Sequence, residues 1–169
     1  MKYFNSFPKI VYDNLETRNI IAKVKLRDVL NKDYFAFHNY TVESLDKPWT
    51  IAHDYYGSVD RTWLVYLSND IIDPYYEWHM DTFAFEAYLK KKYGSIETAQ
   101  SQIDYYVDSN NIQYSKDTYT YSNSSIQATL TPKYAYDIED EANENKRNIR
   151  LLRYDLAQRA EKSLIRLMK

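Results

Sequence analysis

The stretch that decides the fold runs from residue 40 to residue 74. It reads Tyr40-Thr41-Val42, then Pro48-Trp49-Thr50-Ile51-Ala52-His53-Asp54-Tyr55-Tyr56-Gly57, then Trp63-Leu64-Val65-Tyr66-Leu67-Ser68-Asn69, and it ends in Ile72-Asp73-Pro74. Aromatic and β-branched residues favour a strand in the first piece. Apolar residues at helical spacing favour short helices in the next two. The segment therefore predicts a strand, two short helices and a closing turn.

Residues with known positional preferences set the expected ends of these helices. Asp46 is predicted to cap the first helix, whose first turn accommodates Pro48 because an early helical N–H has no partner inside the helix. Gly57 is predicted to end that helix in the left-handed conformation. Asp60 is predicted to cap the second helix.

The sequence on either side predicts further helices and a β-hairpin. Asp81 or Thr82 can cap a third helix that ends at Gly94, and Ser95 can begin a fourth. Ile112 and Tyr114 alternate with polar residues, as does the run Thr118-Tyr119-Thr120-Tyr121, which predicts a hairpin. The expected fold class is α+β, and the segments are a 1–33 N-terminal extended arm, a 34–80 central module, an 81–110 helical segment, a 111–136 tyrosine-rich hairpin region and a 137–169 charged C-terminal segment.

The C-terminal segment separates charge by sign. Residues 146–169 carry eight basic and two acidic side chains, whereas five acids lie between residues 137 and 144. Apolar residues at helical spacing predict an amphipathic helix in the tail, and residues 145–153 could be strand or helix. The apolar positions are Ile149, Leu152, Leu156, Ala160, Leu164 and Leu167.

Composition argues against several classes of function. The net charge of −2 gives no general attraction to nucleic acid or to an anionic membrane, and no apolar stretch approaches the ~20 residues that span a bilayer. The chain has no cysteine, only two glycines, and three histidines without ligand-like spacing. These features argue against a metal site, a glycine-rich phosphate loop and an enzyme. The 19 tyrosines suit protein contacts. The expected site of synthesis is the cytoplasm.

The central module resembles a LysM domain, a βααβ module known mostly for binding N-acetylglucosamine polymers. The resemblance makes a glycan-binding module one alternative. Leu45 stands where that family usually has glycine, and Tyr75-Tyr76-Glu77-Trp78 replaces the strand that should close the module. The matching positions are Tyr40, Val42, Trp49, Ile51, Ala52, Tyr55, Tyr56, Gly57, Trp63, Leu67, Asn69, Ile72, Asp73 and Pro74.

Four ordered blocks resemble a narrower family, the baseplate wedge protein of T4-like contractile-tailed phages called gene product fifty-three. The blocks are Tyr3–Tyr12, Asn69–Trp78, Lys92-Tyr93-Gly94-Ser95 and Asn143–Leu152. Within this resemblance Trp49, Tyr55, Tyr56 and Trp63 are expected mainly in the core. The residues expected to contact partners are Phe4, Phe7, Pro8, Tyr12, Tyr75, Tyr76, Trp78, Lys146, Arg147, Ile149, Arg150 and Leu152.

The resemblance implies a structural protein of the virion tail baseplate, without enzymatic activity or cofactor. Its LysM-like fold would serve protein contacts, and it would clip neighbouring wedge proteins together around the central hub. The implied partners are other wedge proteins, with the hub as a further candidate, and neither nucleic acid nor membrane. Several copies would take part in a six-fold assembly rather than a self-contained homo-oligomer.

Overall fold

The computed structural model describes residues 3–26 and 28–168, and the chain divides into two compact units. The first unit is discontinuous and contains residues up to Trp78 together with residues from Arg147 onward. The second unit is His79–Lys146. Helices and antiparallel strands occur in both, which confirms the α+β class.

The helices and strands are numbered along the chain, and short 3-10 turns are left without labels. They are β1 (Lys9–Tyr12), β2 (Leu15–Arg18), α1 (Asp28–Asn31), β3 (Phe37–Thr41), α2 (Pro48–Tyr56), α3 (Thr62–Ser68), α4 (Pro74–Glu77), α5 (Thr82–Tyr93), α6 (Ile96–Ser101), β4 (Ile103–Val107), β5 (Gln113–Tyr114), α7 (Lys116–Tyr121), α8 (Ser124–Gln127), β6 (Thr131–Tyr134), α9 (Ala135–Asn145), β7 (Asn148–Leu152) and α10 (Tyr154–Leu167).

Strands β3 and β7 pair although the whole second unit separates them in sequence. They are antiparallel, with Phe37 opposite Leu152 and Thr41 opposite Asn148. Helices α2 and α3 complete a β-α-α-β arrangement whose core contains Val42, Tyr56, Leu64, Leu151 and Leu152. Residues 148–152, whose conformation the sequence left open, are therefore a strand, and the amphipathic helix begins only at Tyr154.

Two of the predicted helix caps are wrong. Lys47, not Asp46, is the N-cap of α2, and the Asp46 carboxylate instead accepts hydrogen bonds from the Tyr40 hydroxyl and the Glu43 N–H. A 3-10 turn precedes α3, and Ser58 rather than Asp60 accepts the capping bond there. The Asp46 side chain therefore holds a loop, which is a common alternative to capping a helix for short acidic residues.

Gly57 ends α2 as predicted, at a φ of +73°. The left-handed conformation costs an L-residue free energy because its Cβ approaches the carbonyl oxygen. At the start of the same helix Pro48 occupies the first turn, where its missing N–H removes no intrahelical bond.

The N-terminal segment is a hairpin rather than a wholly extended arm. Strands β1 and β2 pair antiparallel, with Asp13 and Asn14 both at positive φ in the turn. Asn and Asp tolerate that conformation better than other residues. Phe7 anchors the hairpin, since its buried ring packs edge-on against Tyr3 at 4.9 Å.

In the second unit the predicted caps of α5 and α6 are confirmed. Asp81 accepts the N–H of Ala84 at the start of α5, and Gly94 follows its last residue at positive φ. Ser95 accepts the N–H of Thr98 at the start of α6. The core beside these helices consists of Met80, Phe85, Leu89 and Ala99.

The expected hairpin at residues 111–136 differs from the structure. Residues 116–121 form α7, because Ser115 accepts the N–H of Thr118 and caps a helical turn. The sheet instead has the order β5-β4-β6, with β4 in the centre. Tyr119 of α7 stacks on Tyr106 of β4, with ring centroids 3.9 Å apart. None of the helices in the described ranges is both long and apolar enough to cross a bilayer.

Candidate protein–protein interface

Most of the fourteen positions of the LysM-like pattern lie in or beside one core. Val42, Ile51, Ala52, Tyr56 and Trp63 are buried together, and Tyr40, Tyr55 and Leu67 pack against them. Trp49 is half exposed, so the expectation that it serves mainly the core is wrong. Ile72 is exposed, and Asp73 caps α4, which begins at Pro74.

Asn69 closes the outer edge of β7 with its side-chain amide. Its Nδ2 donates to the carbonyl oxygen of Arg150 at 2.9 Å, and its Oδ1 accepts the N–H of Arg150 at 2.8 Å. The same Nδ2 donates to the carbonyl oxygen of Val65 at 2.8 Å, within α3. A single side chain therefore links the end of α3 to β7. The LysM-like pattern includes Asn69 but does not predict this role.

The predicted partner contacts between residues 146 and 152 are largely used inside the protein. Ile149 and Leu152 are buried, so the structure contradicts their assignment to a contact surface. Arg147 donates to the carbonyl oxygen of Val42. Lys146, on the surface of the second unit, follows the last residue of α9.

The Arg150 side chain is also engaged internally. Its Nε donates to the carbonyl oxygen of Ser68 at 2.6 Å, and its guanidinium lies 4.4 Å from the centre of the Phe37 ring. Its Nη2 is 3.7 Å from Asp70 Oδ2. Arg150 therefore holds β7 to the end of α3 and to β3.

The aromatic residues after Pro74 divide between surface and core. Tyr75 and Tyr76 are exposed and pack edge to face at 4.8 Å. Trp78 is buried in the core of the first unit, which contradicts its assignment to a partner contact. Trp78 directly follows the last residue of α4 and has an extended backbone, so the chain leaves the helix at this residue.

The N-terminal hairpin presents one apolar face. Residues directly opposite in an antiparallel pair lie on the same face, and Tyr12 is opposite Leu15 while Ile10 is opposite Thr17. Tyr12 is 73% exposed and Leu15 is 66% exposed. We call Ile10, Tyr12 and Leu15 the hairpin face. On the other face Lys9 pairs with Glu16 at 3.1 Å.

Of the other predicted N-terminal contacts, Phe4 and Pro8 are exposed and Phe7 is not. The buried Phe7 ring shows that this position serves the fold of the hairpin rather than a partner. Tyr3 stacks on Trp63 with ring centroids 5.1 Å apart, which joins this segment to the core. The exposed aromatic Phe4 remains the candidate contact here.

Titratable side chains make local pairs. His38 stacks on Tyr55, His53 Nδ1 lies 2.9 Å from Asp54, and burial together with the hydrogen bond to Asp46 raises the pKa of Tyr40 to about 12. Among residues 3–26 and 28–168, no group of three or more His, Cys, Asp or Glu side chains could hold a metal ion.

A pair that the sequence did not reveal joins α10 to the turn before α3. Arg61 donates twice to the Glu161 carboxylate, with both distances 3.0 Å, and both side chains are largely buried. Arg61 also donates to the carbonyl oxygen of Tyr56. Opposite charges a hundred residues apart give no local signal in a sequence.

Exposed aromatic and aliphatic side chains on a small α+β scaffold are typical of proteins that bind other proteins. The comparisons with known proteins agree. The sequence model of the family described as Base plate wedge protein 53 matches residues 5–160, and the chain belongs to that family. It is also 25% identical to the baseplate wedge protein gp53 of Enterobacteria phage T4, in an alignment that covers 98% of this chain and 95% of the relative. Both matches are to wedge proteins, so the glycan-binding alternative gains no support from them.

Proposed function

We propose that this chain is a structural subunit of a phage tail baseplate wedge, and that it holds neighbouring wedge proteins together around the central hub. The observation that carries the proposal is the match to the wedge family over residues 5–160. The T4 relative aligned over nearly the whole of both chains supports the same role. The protein then acts by contact alone, in the virion tail baseplate.

The exposed hairpin face supports a role in assembly. Tyr12 and Leu15 project from a two-stranded hairpin whose eight strand residues are all exposed. Burying such a face at ~25 cal/mol per Å² of apolar area stabilises a complex. Contacts of this kind that recur around a ring add to one another through multivalency.

The β3-α2-α3-β7 arrangement supports the LysM-like interpretation of the module. The closing strand that the sequence lacks after Pro74 has a counterpart in β7, which pairs with β3 after the second unit intervenes. In this proposal the module is a scaffold for protein contacts. Tyr75 and Tyr76, both exposed beside it, are suited to such contacts.

The experiment is reconstitution with the wedge proteins of the same phage. The chain is mixed with each purified wedge protein, and size-exclusion chromatography with light scattering measures the mass of the product. We expect a defined complex with at least one of them and no retention on peptidoglycan. Failure to associate with every wedge protein, singly or in mixture, would contradict the proposal.

A matched pair of variants tests the hairpin face in the same assay. Leu15→Lys places a charge on the apolar face, whereas Val11→Lys places the same charge on the opposite face of the hairpin, directly opposite Glu16. We expect Leu15→Lys to weaken complex formation by about tenfold or more. Val11→Lys should leave the complex nearly unchanged. Equal effects of the two substitutions would remove the hairpin face from the interface.

A further inference from the structure

Among residues 3–26 and 28–168, strand β3 has a pairing partner on one side only, which is β7. Two backbone hydrogen bonds bracket its ladder with β7: Arg153 N–H donates to Ala36 C=O at 3.0 Å, and Val42 N–H donates to Arg147 C=O at 2.8 Å. Pairs with and without hydrogen bonds alternate in an antiparallel ladder. The even-numbered residues of β3 therefore direct their backbone toward β7, and three odd-numbered residues direct theirs away: Phe37, Asn39 and Thr41.

The opposite strand confirms this alternation. Arg150 is opposite Asn39 in the register, and both its N–H and its C=O are bound by Asn69 on the side away from β3. Within the described part of the chain, no hydrogen bond satisfies the backbone N–H or C=O of Asn39. The outward backbone groups of Arg150 on β7 are thus bound by the Asn69 side chain. Those of Asn39 on β3 have no such partner among the described residues. We call the outward backbone groups of Phe37, Asn39 and Thr41 the free edge.

The free edge lacks the features by which proteins discourage strand pairing. Charged side chains, proline and very short strands are the usual means. Strand β1 carries Lys9, β2 carries Glu16 and Arg18, β5 has two residues, and β6 carries Pro132. Strand β3 reads Phe37-His38-Asn39-Tyr40-Thr41, with five residues and no Lys, Arg, Asp, Glu or Pro.

We propose that an extended segment of a different wedge protein adds to the free edge as a third strand of the β7-β3 sheet. The inference rests on the proposed function, which makes the partner a different protein. A backbone edge selects another extended backbone, because main-chain hydrogen bonds supply the affinity in strand addition. The three outward residues can exchange hydrogen bonds with such a segment.

The side chains around the free edge describe the segment that fits it. Phe35, just before β3, is 78% exposed, and Leu45, just after it, is 88% exposed. An exposed apolar side chain therefore stands on each side of β3 in the sequence, two residues before it and four residues after it. Because β3 itself carries no Lys, Arg, Asp or Glu, the complementary segment is about five uncharged, β-prone residues.

Hydrogen exchange at single amides tests the inference. The chain is compared alone and in complex with each wedge protein that binds it, and exchange is followed by NMR. The added strand should slow exchange at Phe37, Asn39 and Thr41 by at least about tenfold. The amides of His38 and Tyr40, already paired with β7, should change much less. Because a contact that merely covered this surface would also shield the outward amides, removal of a single outward N–H is needed to distinguish pairing from coverage.

Two substitutions at one position supply the matched test. Asn39→Pro removes an outward N–H without removing a bond to β7, since proline is tolerated at the solvent side of an edge strand. Asn39→Ala keeps the N–H and removes the side chain. We expect Asn39→Pro to weaken binding of the wedge protein by about tenfold or more and Asn39→Ala to bind normally. Circular dichroism verifies that both variants are folded.

The outcomes separate this inference from the proposed function. A wedge complex that forms without slowed exchange at Phe37, Asn39 and Thr41, and that tolerates Asn39→Pro, overturns strand addition and leaves the proposed function standing. Alternating protection in the isolated chain, together with a concentration-dependent dimer, overturns the choice of partner in favour of a second copy. Absence of any wedge complex contradicts the proposed function and this inference together.

Discussion

Asn69 and Asn143 both use a side-chain amide as a neighbouring strand would use its backbone. Asn143 accepts the N–H of Met80 at 2.9 Å and donates to the Met80 carbonyl oxygen at 3.0 Å, and it is buried. Asn69 makes the same pair of bonds with Arg150. Each amide satisfies two main-chain groups that would otherwise lose their hydrogen bonds on burial.

Removing the Asn69 amide should destabilise the first unit. Asn69→Ala leaves the N–H and C=O of Arg150 and the carbonyl of Val65 without this partner. At ~1–3 kcal/mol for each unsatisfied group that stays buried, we expect a loss of about 2–3 kcal/mol in the free energy of unfolding. Urea titration followed by tryptophan fluorescence measures it. Asn39→Ala, on an exposed side chain, is the control, and equal losses in the two variants would contradict the role given to Asn69.

Glu139 makes the stability of the second unit depend on pH. Burial raises its pKa, but hydrogen bonds from Lys92, Tyr93 and Tyr88 outweigh burial and hold the pKa below its ordinary value. A carboxylate with a lowered pKa in the folded state stabilises that state above its unfolded pKa, ~4.3 for Glu. This stabilisation is lost as the pH falls through the folded-state pKa.

Glu139→Gln should therefore be less stable than the parent at pH 7 and should lose part of its dependence on pH below about 4.3. The change in stability between pH 7 and pH 3 is measured by urea unfolding followed by NMR, with the amide signals of α5 and α9 reporting the second unit. Glu141→Gln, at an exposed position of the same helix, is the matched control. Parallel pH profiles for parent and Glu139→Gln would show that this carboxylate contributes nothing to acid sensitivity.

At the scale of elements, Gly57 marks the end of α2 by its conformation. A Cβ built there would meet no atom within 4 Å, so only the backbone conformation disfavours another residue. Gly57→Ala should lower the free energy of unfolding by about 1–2 kcal/mol. Gly57→Asn should cost less, because asparagine tolerates positive φ better. Thermal and urea unfolding of the two variants test this order, and equal stability of all three proteins would contradict it.

Elements defined by neighbouring residues could be predicted more often than elements defined by distant ones, although the local caps expected at Asp46 and Asp60 are wrong. The caps at Asp81 and Ser95 and the end at Gly57 act within four residues, so the sequence shows them directly. Residues 116–121 alternate as a strand would, yet the Ser115 cap and stacking of Tyr119 on Tyr106 favour a helix. Tertiary contacts override short periodic patterns of this kind.

The partner contacts expected from the sequence depend on distant residues in the same way. Phe7, Trp78, Ile149 and Leu152 are partner contacts expected from the resemblance to the wedge family, and all four are buried. Burial depends on which segments meet, and the pairing of β7 with β3 brings together residues more than a hundred positions apart. The free edge of β3 follows from that pairing, so the sequence alone does not predict it.

At the scale of the whole molecule, the first unit depends on two segments that the second unit separates. Its core joins Val42, Tyr56 and Leu64 from the first segment to Leu151 and Leu152 from the last. The second unit is continuous, and its sheet pairs β4 with β5 and with β6 inside residues 103–134. The two units therefore differ in what they need in order to fold.

A chain that stops after Lys146 should lose the first unit and keep the second. It lacks β7 and α10, whose fully buried side chains each contribute ~1.5–3 kcal/mol. Their sum is comparable with the 5–15 kcal/mol that stabilises a typical domain.

Fragment 79–146 should fold alone, because its helices and sheet contact one another within that range. Amide exchange reports each unit separately: we expect slow exchange in β4 and α5, and fast exchange in β3 and α2. Adding a peptide of residues 147–169 should restore protection in β3, since it supplies the missing strand. Persistent protection of β3 without that peptide would show that β7 is dispensable to the first unit.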